Sequence, residues 1–404
     1  MADQAAGDRV VIFYKSIPQY RARFYELLHE RLAGDGIELE LIYGDPSRED
    51  AGKGDSVDLD WATRLRTRSL RLGGRELLWQ DGLGRVRRGD LVVVEQASKL
   101  LLNYVLFVLA ATGFIRLAFW GHGRTTRFQA LTTMGERAKS FMSSRVSWWF
   151  AYNERSARYV LELGFPDDRI TRVQNAIDTR QLIAAAQRCD DAQLSRVRTE
   201  LGLCGNNVCV FVGAMYEDKR LLFLTNACEV IRSRVPDFEM IFVGEGPESP
   251  IVSAAASRHA WVHYVGPKFG DDRVPYMLLA KLELMPGLVG LGILDSFALR
   301  VPLVTTDVPY HSPEIDYLHN EENGLVVAGE PDFADYARAV VATLLDEPLR
   351  ERLRRGCEES RGCYTVEAMA DNFAAGVRLC LGQDHRSRWR QRVEMVGRTL
   401  SGRR

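Results

Sequence analysis

The chain has 404 residues, more than a single hydrophobic core ordinarily serves, so two domains are expected. Its composition, 46% hydrophobic and 26% charged, excludes a fibrous or compositionally disordered class. A formal net charge of -1 provides no overall field for nucleic acid, and no nucleic-acid partner is expected. The seven cysteines are scattered, with no CxxC pair, which argues against a disulfide framework and against structural zinc. A reducing cytosol fits that usage. The opening MADQAAGDRV lacks a basic and then apolar leader, so no signal peptide is expected.

In chain order, RVVIFY (9–14) reads as a strand, followed by a helix from Tyr20 to Leu32 with Phe24, Leu27, Leu28 and Leu32 on one face. ELELIYG (38–44) is a second strand, and the polar stretch 45–75 reads as an irregular insertion. DLVVVEQ (90–96) is a strand. The apolar run from Leu100 to Ile115 is too short to span a membrane and reads as a buried helix, with a membrane-dipping helix as its rival. IRLAFWGHG (115–123), SWWFAYN (147–153) and RITRVQNAID (169–178) supply further strands, with a helix at 156–166. Residues 179–205 are polar and helix-like and read as an inter-domain connection. A second series follows: strands NVCVFVGAM (207–215), FEMIFVGEGPE (238–248), WVHYVG (261–266) and GLVV (324–327), alternating with amphipathic helices. A helix over 332–356 is expected to break at Pro348, and VEAMADNFAAGVRLCL (366–381) is the last helix. Repeated βα units with near-continuous apolar strands imply two α/β halves with parallel sheets, whose ligands sit beyond the carboxyl ends of the strands.

Three strand-end segments have the composition of ligand loops. FVGAMYEDKR places Lys219 and Arg220 before a helix start, where free N–H groups and full charges suit a phosphate. The alternative is a solvated loop, and no Walker sequence is present. IFVGEGPE flanks Glu245 with glycines, which serve a tight turn or a close ligand equally. MPGLVGLGILDSFALRVPLVTTD (285–307) combines Gly287 and Gly290, able to bare N–H groups at a helix start, with an acid, Asp295, suited to a ribose diol.

The order of strand–loop–Lys, VGEGP, PGLVGLGILDSFALRVPLV and PYHSPEIDYLHNEENGLVV resembles the retaining nucleotide-sugar glycosyltransferases of family 4, over roughly residues 170–380. QNAIDT (174–179) resembles that family's segment at the domain junction, and IRLAFWGHG its histidine strand. The resemblance implies a GT-B fold: two Rossmann-like domains facing an interdomain cleft, with a C-terminal helix crossing back to the N-terminal domain. It sets the domains at 1–178 and 206–365, joined by 179–205, with the crossing helix at 366–382 and a basic tail at 383–404.

By the same resemblance Lys219 meets the donor diphosphate, while the family's arginine falls on Ala214, so that its charge is missing unless Arg220 substitutes for it. Gly213 and Gly246 belong to the donor loops, and Gly287, Leu288, Val289 and Gly290 form the loop at phosphate and sugar. Asp295 matches the second acid of the family's Glu-x7-Glu pair, expected at the ribose. The first acid is absent, because its position is Gly287. Glu314 matches the acid of a glycine-pair turn whose glycines are replaced by His311 and Ser312. His122 matches the histidine at the donor sugar, and Tyr20, Arg21 and Glu95 follow strands on the acceptor side.

The implied activity is metal-independent transfer of a sugar, with retention, from a nucleotide-sugar to a cell-envelope glycan or lipid-linked acceptor. No cofactor is expected. The rival readings are a nucleotide-sugar epimerase or inverting transferase on the same fold, and a non-catalytic sensor or scaffold. The arginine-rich tail 385–404, with Trp389, Val393 and Val396 on one helical face, reads as a peripheral contact with the inner membrane face or as a plain basic tail.

Overall fold

Strand β1 (Arg9–Tyr14) is buried at every position, which a strand tolerates only when both its faces are covered. It starts a run of βα units: α1 (Gln19–Gly34), β2 (Glu38–Tyr43), β3 (Thr63–Arg64), β4 (Thr67–Leu72), β5 (Arg75–Gln80), β6 (Leu91–Glu95), α2 (Leu102–Ala111), β7 (Arg116–Gly121), β8 (Trp148–Ala151), α3 (Glu154–Glu162) and β9 (Ile170–Arg172). Seven of these strands form one parallel sheet in the order β3-β2-β1-β6-β7-β8-β9, while β4 and β5 pair antiparallel on their own. The structure, a computed structural model, describes residues 8–46, 56–72, 75–123 and 142–382. The expected basic tail lies outside them.

A second series repeats the pattern: α4 (Arg180–Arg188), α5 (Asp191–Leu201), β10 (Asn207–Val212), α6 (Leu221–Arg234), β11 (Phe238–Val243), α7 (Ser249–Arg258), β12 (Val262–Tyr264), α8 (Val274–Leu278), β13 (Leu282–Leu284), α9 (Gly292–Leu299), β14 (Leu303–Thr306), β15 (Gly324–Val327), α10 (Phe333–Leu345) and α11 (Glu347–Cys363). Its sheet is parallel throughout, in the order β12-β11-β10-β13-β14-β15. The last helix is α12 (Val366–Gly382).

The chain divides into two compact units, Met1–Gln174 with Glu367–Arg404, and Asn175–Val366. Residues 179–205 therefore do not float between domains. Leu182, Ala185 and Leu203 from this stretch are buried in the core of the second unit. The helix break expected at Pro348 is present: α10 ends at Leu345 and α11 opens at Glu347, where Asp346 accepts the Leu349 N–H and proline sits in the first turn, its missing donor costing nothing. The stretch read as an irregular insertion contains β3 and β4 and leads into β5, whose Leu78 bonds the backbone of Lys99 and Leu101. Helix α2 buries Leu102, Asn103 and Leu106, while Val108 is exposed, so it covers the sheet with one face.

Helix α12 is built into the first unit. Phe373 is fully buried and stacks on Phe150 at 4.0 Å and 7°. Gly376 lies so close to the sheet that a Cβ there would stand 2.3 Å from Thr171 Oγ1. Arg31 and Arg378 form ion pairs with Asp371 and Asp35 along its flank. Replacing Phe373 with Ala is expected to destabilise the first unit by about 3–5 kcal/mol, the usual cost of removing a buried aromatic ring. Denaturant unfolding measures it; a loss well below that range would show that α12 is not part of this core.

Candidate functional site

Where strand order reverses in an open parallel sheet, the loops leaving the two central strands part and a crevice opens at their carboxyl ends. In the second unit the reversal lies between β10 and β13, which pair directly through Cys209–Leu282 and Val210–Glu283. The loops that leave them are Gly213–Arg220 and Met285–Leu291.

These loops are joined backbone to backbone. The Leu288 N–H donates to the Asp218 carbonyl at 2.8 Å. Lys219 is 7% exposed; its Nζ donates to the Leu288 carbonyl at 2.5 Å and lies 3.4 Å from Met285 Sδ. A Cβ on Gly287 would stand 2.2 Å from the Asp218 carbonyl oxygen and 2.6 Å from the Lys219 Cα. Gly287 is thus glycine because protein backbone, not a ligand, occupies the space, and no acid side chain fits there. The Val289 N–H is spent as well. It donates to His311 Nδ1 at 3.0 Å, which leaves the imidazole proton on Nε2, facing the Thr306 carbonyl at 2.7 Å. Gly246 corrects in the same sense: a Cβ would meet the Met215 carbonyl at 2.4 Å, and the β11 loop is tied to Met215 by two backbone bonds.

The open donors lie further along. Among the described residues, no partner stands against the amides of Gly290, Leu291 and Gly292, which lead into α9. The start of a helix carries positive potential, so these amides are the part of the loop able to hold an anion. Arg220 borders the same loops. It caps α6 in a left-handed conformation, φ 57°, donates to Thr306 Oγ1 at 3.1 Å and lies 3.9 Å from the Phe223 ring centre. Gly213 is half-buried at the tip of β10.

Asp295 is not an open ribose ligand. Its Oδ2 pairs with Arg273 Nη2 at 2.9 Å, while Oδ1 is buried without a partner. Glu283 faces this group from β13, 1% exposed and with Oε2 unpartnered. Burial, and then Asp295, push the Glu283 carboxyl up to about 8 against the pull of Lys219 and Arg273. Burial also brings Lys219 down to about 8, against Glu283 and Asp218. Glu283 and Arg273 escape a reading by motif; the one signal was an acid between two leucines in a buried strand.

The pair has a pH signature. Glu283 is raised from 4.5 to about 8, so the native state holds its proton more tightly and stability falls as pH rises across that interval. Lys219 is lowered from 10.5 to about 8, so stability recovers between about 8 and 10.5. Relative to Glu283→Gln, the wild type is expected to lose stability steadily from pH 5 to pH 8, about 1.4 kcal/mol per unit at most. Parallel melting curves of the two proteins over that range would disprove the assignment.

Glu314 also differs from expectation. It is 3% exposed and accepts a hydrogen bond from Asn175 Nδ2 at 2.5 Å, so it fixes the QNAID segment. The Tyr317 hydroxyl donates to the Asn175 carbonyl beside it.

In the first unit, Arg21 is enclosed rather than open to an acceptor. It is 1% exposed, with its guanidinium 5.3–5.6 Å from the rings of Tyr20, Trp120 and Tyr152, and Nη1 3.4 Å from Met369 Sδ. Cation–π contacts replace the water it lost, so it does not line an open surface. Tyr20 is exposed, Glu95 half-buried at the end of β6, and His122 exposed just beyond β7, edge-on to Tyr152 at 4.2 Å.

Solved structures share this architecture. Anabaena HepE in complex with UDP aligns at TM-score 0.64 and 12% identity, covering 91% of this chain and 98% of HepE. The pneumococcal O-GlcNAc transferase GtfA in complex with UDP and GlcNAc aligns at TM-score 0.62 and 10% identity, covering 93% and 100%. The fold is GT-B. Residues 206–346, within the second Rossmann-like unit of this GT-B chain, match the family described as glycosyl transferases group 1. An alpha-D-kanosaminyltransferase of Streptomyces kanamyceticus is 25% identical over 203 residues, 46% of this chain. The match spans 48% of that relative, about half its length. Among the described residues, no helix is long and apolar enough to cross a membrane.

Proposed function

We propose that the chain is a glycosyltransferase that uses a nucleotide-sugar and transfers the sugar, with retention, to a glycan or lipid-linked acceptor of the cell envelope. One observation carries the reading: the unpartnered amides of Gly290, Leu291 and Gly292 open at the switch point of a parallel sheet, beside Arg220 and above the buried Lys219. The group 1 match over residues 206–346 and the UDP complexes of fold relatives support it.

In such a transfer the bond between the anomeric carbon and the diphosphate oxygen breaks, and negative charge accumulates on the departing diphosphate. Preoriented N–H donors and cations lower that barrier without rearrangement. The diphosphate sits on the Gly290–Gly292 amides, with Arg220 at its edge. The Lys219 ammonium lies behind the loop at Leu288, two residues away. These groups supply the positive charge, so the reading requires no metal. His122 is the proposed group at the donor sugar, and Tyr20 and Glu95 are the proposed groups on the acceptor side. The protein works in the cytoplasm, at the inner face of the membrane when its acceptor is a lipid.

A second reading, a non-catalytic sugar-nucleotide sensor, is favoured by two features: no acid stands at Gly287, and Asp295 is engaged by Arg273. A thermal-shift screen of nucleotide-sugars, followed by product analysis, separates the two. A bound donor at about 100 times Kd stabilises by about 2.7 kcal/mol. Binding followed by transfer supports the enzyme, binding without turnover the sensor, and no binding defeats both.

A further inference from the structure

Helix α9 connects two different places. Its first residue belongs to the amides described above. About 12 Å away, eight residues at about 1.5 Å each, its far end borders a cavity of about 380 Å³ in the second unit. That volume is at the small end of ligand pockets, which run from about 300 to 1,000 Å³.

The floor is apolar. Leu299 and Val301 belong to the buried cluster of this unit, and Ile183 and Leu278 pack against it only partly buried. Apolar surface holds water poorly, so this floor favours an apolar group. The rim has the opposite character: Arg300, Arg354 and Arg361 line it, with Glu351 the one acid among the lining residues. Glu358 links Arg300 and Arg361 at 3.5 and 3.4 Å. Arg354 has no ion-pair partner among the described residues.

Arg300 adds an independent observation. It ends α9 with φ 59°, ψ 37°, the left-handed position that glycine usually fills. An arginine there costs about 1 kcal/mol or more of backbone strain. Its side chain stands at the mouth of the cavity.

We propose that this cavity binds a small amphiphile with an anionic head, a phosphate or carboxylate, seated on the arginine rim with its alkyl tail on the Ile183–Leu278–Val301 floor. The site is separate from the proposed donor site and does not depend on that reading.

Titration calorimetry of the full chain tests it with octyl phosphate and octanoate as whole ligands, inorganic phosphate as head alone and octanol as tail alone. Both whole ligands, or one of them, should bind at least about tenfold more tightly than either fragment. Arg354→Gln, at a half-buried residue without an ion pair, and Ile183→Glu, which adds repulsion to the floor, should each weaken that binding about tenfold or more. UDP binding, measured in parallel, should be unchanged in both variants. If octyl phosphate and octanoate fail to bind at about 1 mM, bind no better than their fragments, bind equally to the variants or compete with UDP, the proposal is overturned. Preference between the two heads identifies a phosphate or a carboxylate as the natural group.

Discussion

Gly287→Ala is expected to destabilise the second unit by about 3 kcal/mol or more and to abolish UDP binding. A methyl group there would lie 2.2 Å from the Asp218 carbonyl oxygen and 2.5 Å from the Lys219 carbonyl carbon. Overpacking against side chains costs about 1–3 kcal/mol, and backbone yields less readily. The displaced segment would carry Leu288, and with it both contacts to the Gly213–Arg220 loop. Gly287→Glu, which supplies the acid that the resemblance lacks, should fail in the same way rather than improve the protein. Gly292→Ala is the control with the opposite sign. A Cβ there meets nothing within 4 Å. Alanine in a helix is better than glycine by about 0.5–1 kcal/mol, and the amide is kept. Urea unfolding of the three variants, with UDP titration alongside, gives the comparison; a Gly287→Ala protein as stable as the wild type would contradict the loop packing.

The second large effect belongs to Lys219. Lys219→Met removes the bond to the Leu288 carbonyl and the buried charge beside the proposed diphosphate. Loss of one preoriented donor to a departing charge typically costs about 10²–10³ in rate. Lys219 does not donate to that charge but fixes the Leu288 loop and adds a cation behind it, and a loss of turnover up to that size is expected. The stability cost should be smaller than the 3–5 kcal/mol, roughly, of breaking a buried ion pair. The reason is Glu283: with its carboxyl near 8, it already holds its proton at neutral pH and needs no cation. Lys219→Arg should not rescue, since a planar fork does not fit a single carbonyl and a sulfur in a space 7% exposed. Unchanged turnover in Lys219→Met would remove this residue from the mechanism.

The fold was legible because parallel strands announce themselves. VVIFY, VCVFV and MIFV are continuous apolar runs that only a doubly covered sheet accommodates, and the placing of ligand loops at their carboxyl ends followed from that; the position of the switch point came only with the sheet order. The antiparallel pair β4 and β5 was not legible, since Arg68, Arg71 and Arg75 make it resemble a solvated loop. At the site, chain order was readable but contact was not. Gly287 signalled a close approach, yet its neighbour is Asp218, far away in sequence. Arg21 and Glu283 were misread or missed for a common reason. A charged residue is by default exposed. Only the assembled protein shows an arginine enclosed by three rings, and a carboxyl held in a β-strand beside Asp295. Asp295 reads from sequence as a ribose ligand, whereas its carboxylate pairs with Arg273, from a different turn.

The crystal structure of the full chain with UDP is the most direct test. The account predicts diphosphate oxygens within about 3 Å of the Gly290, Leu291 and Gly292 amides, with the Arg220 guanidinium turned toward them. A diphosphate seated elsewhere, with those three amides facing only water, would contradict it.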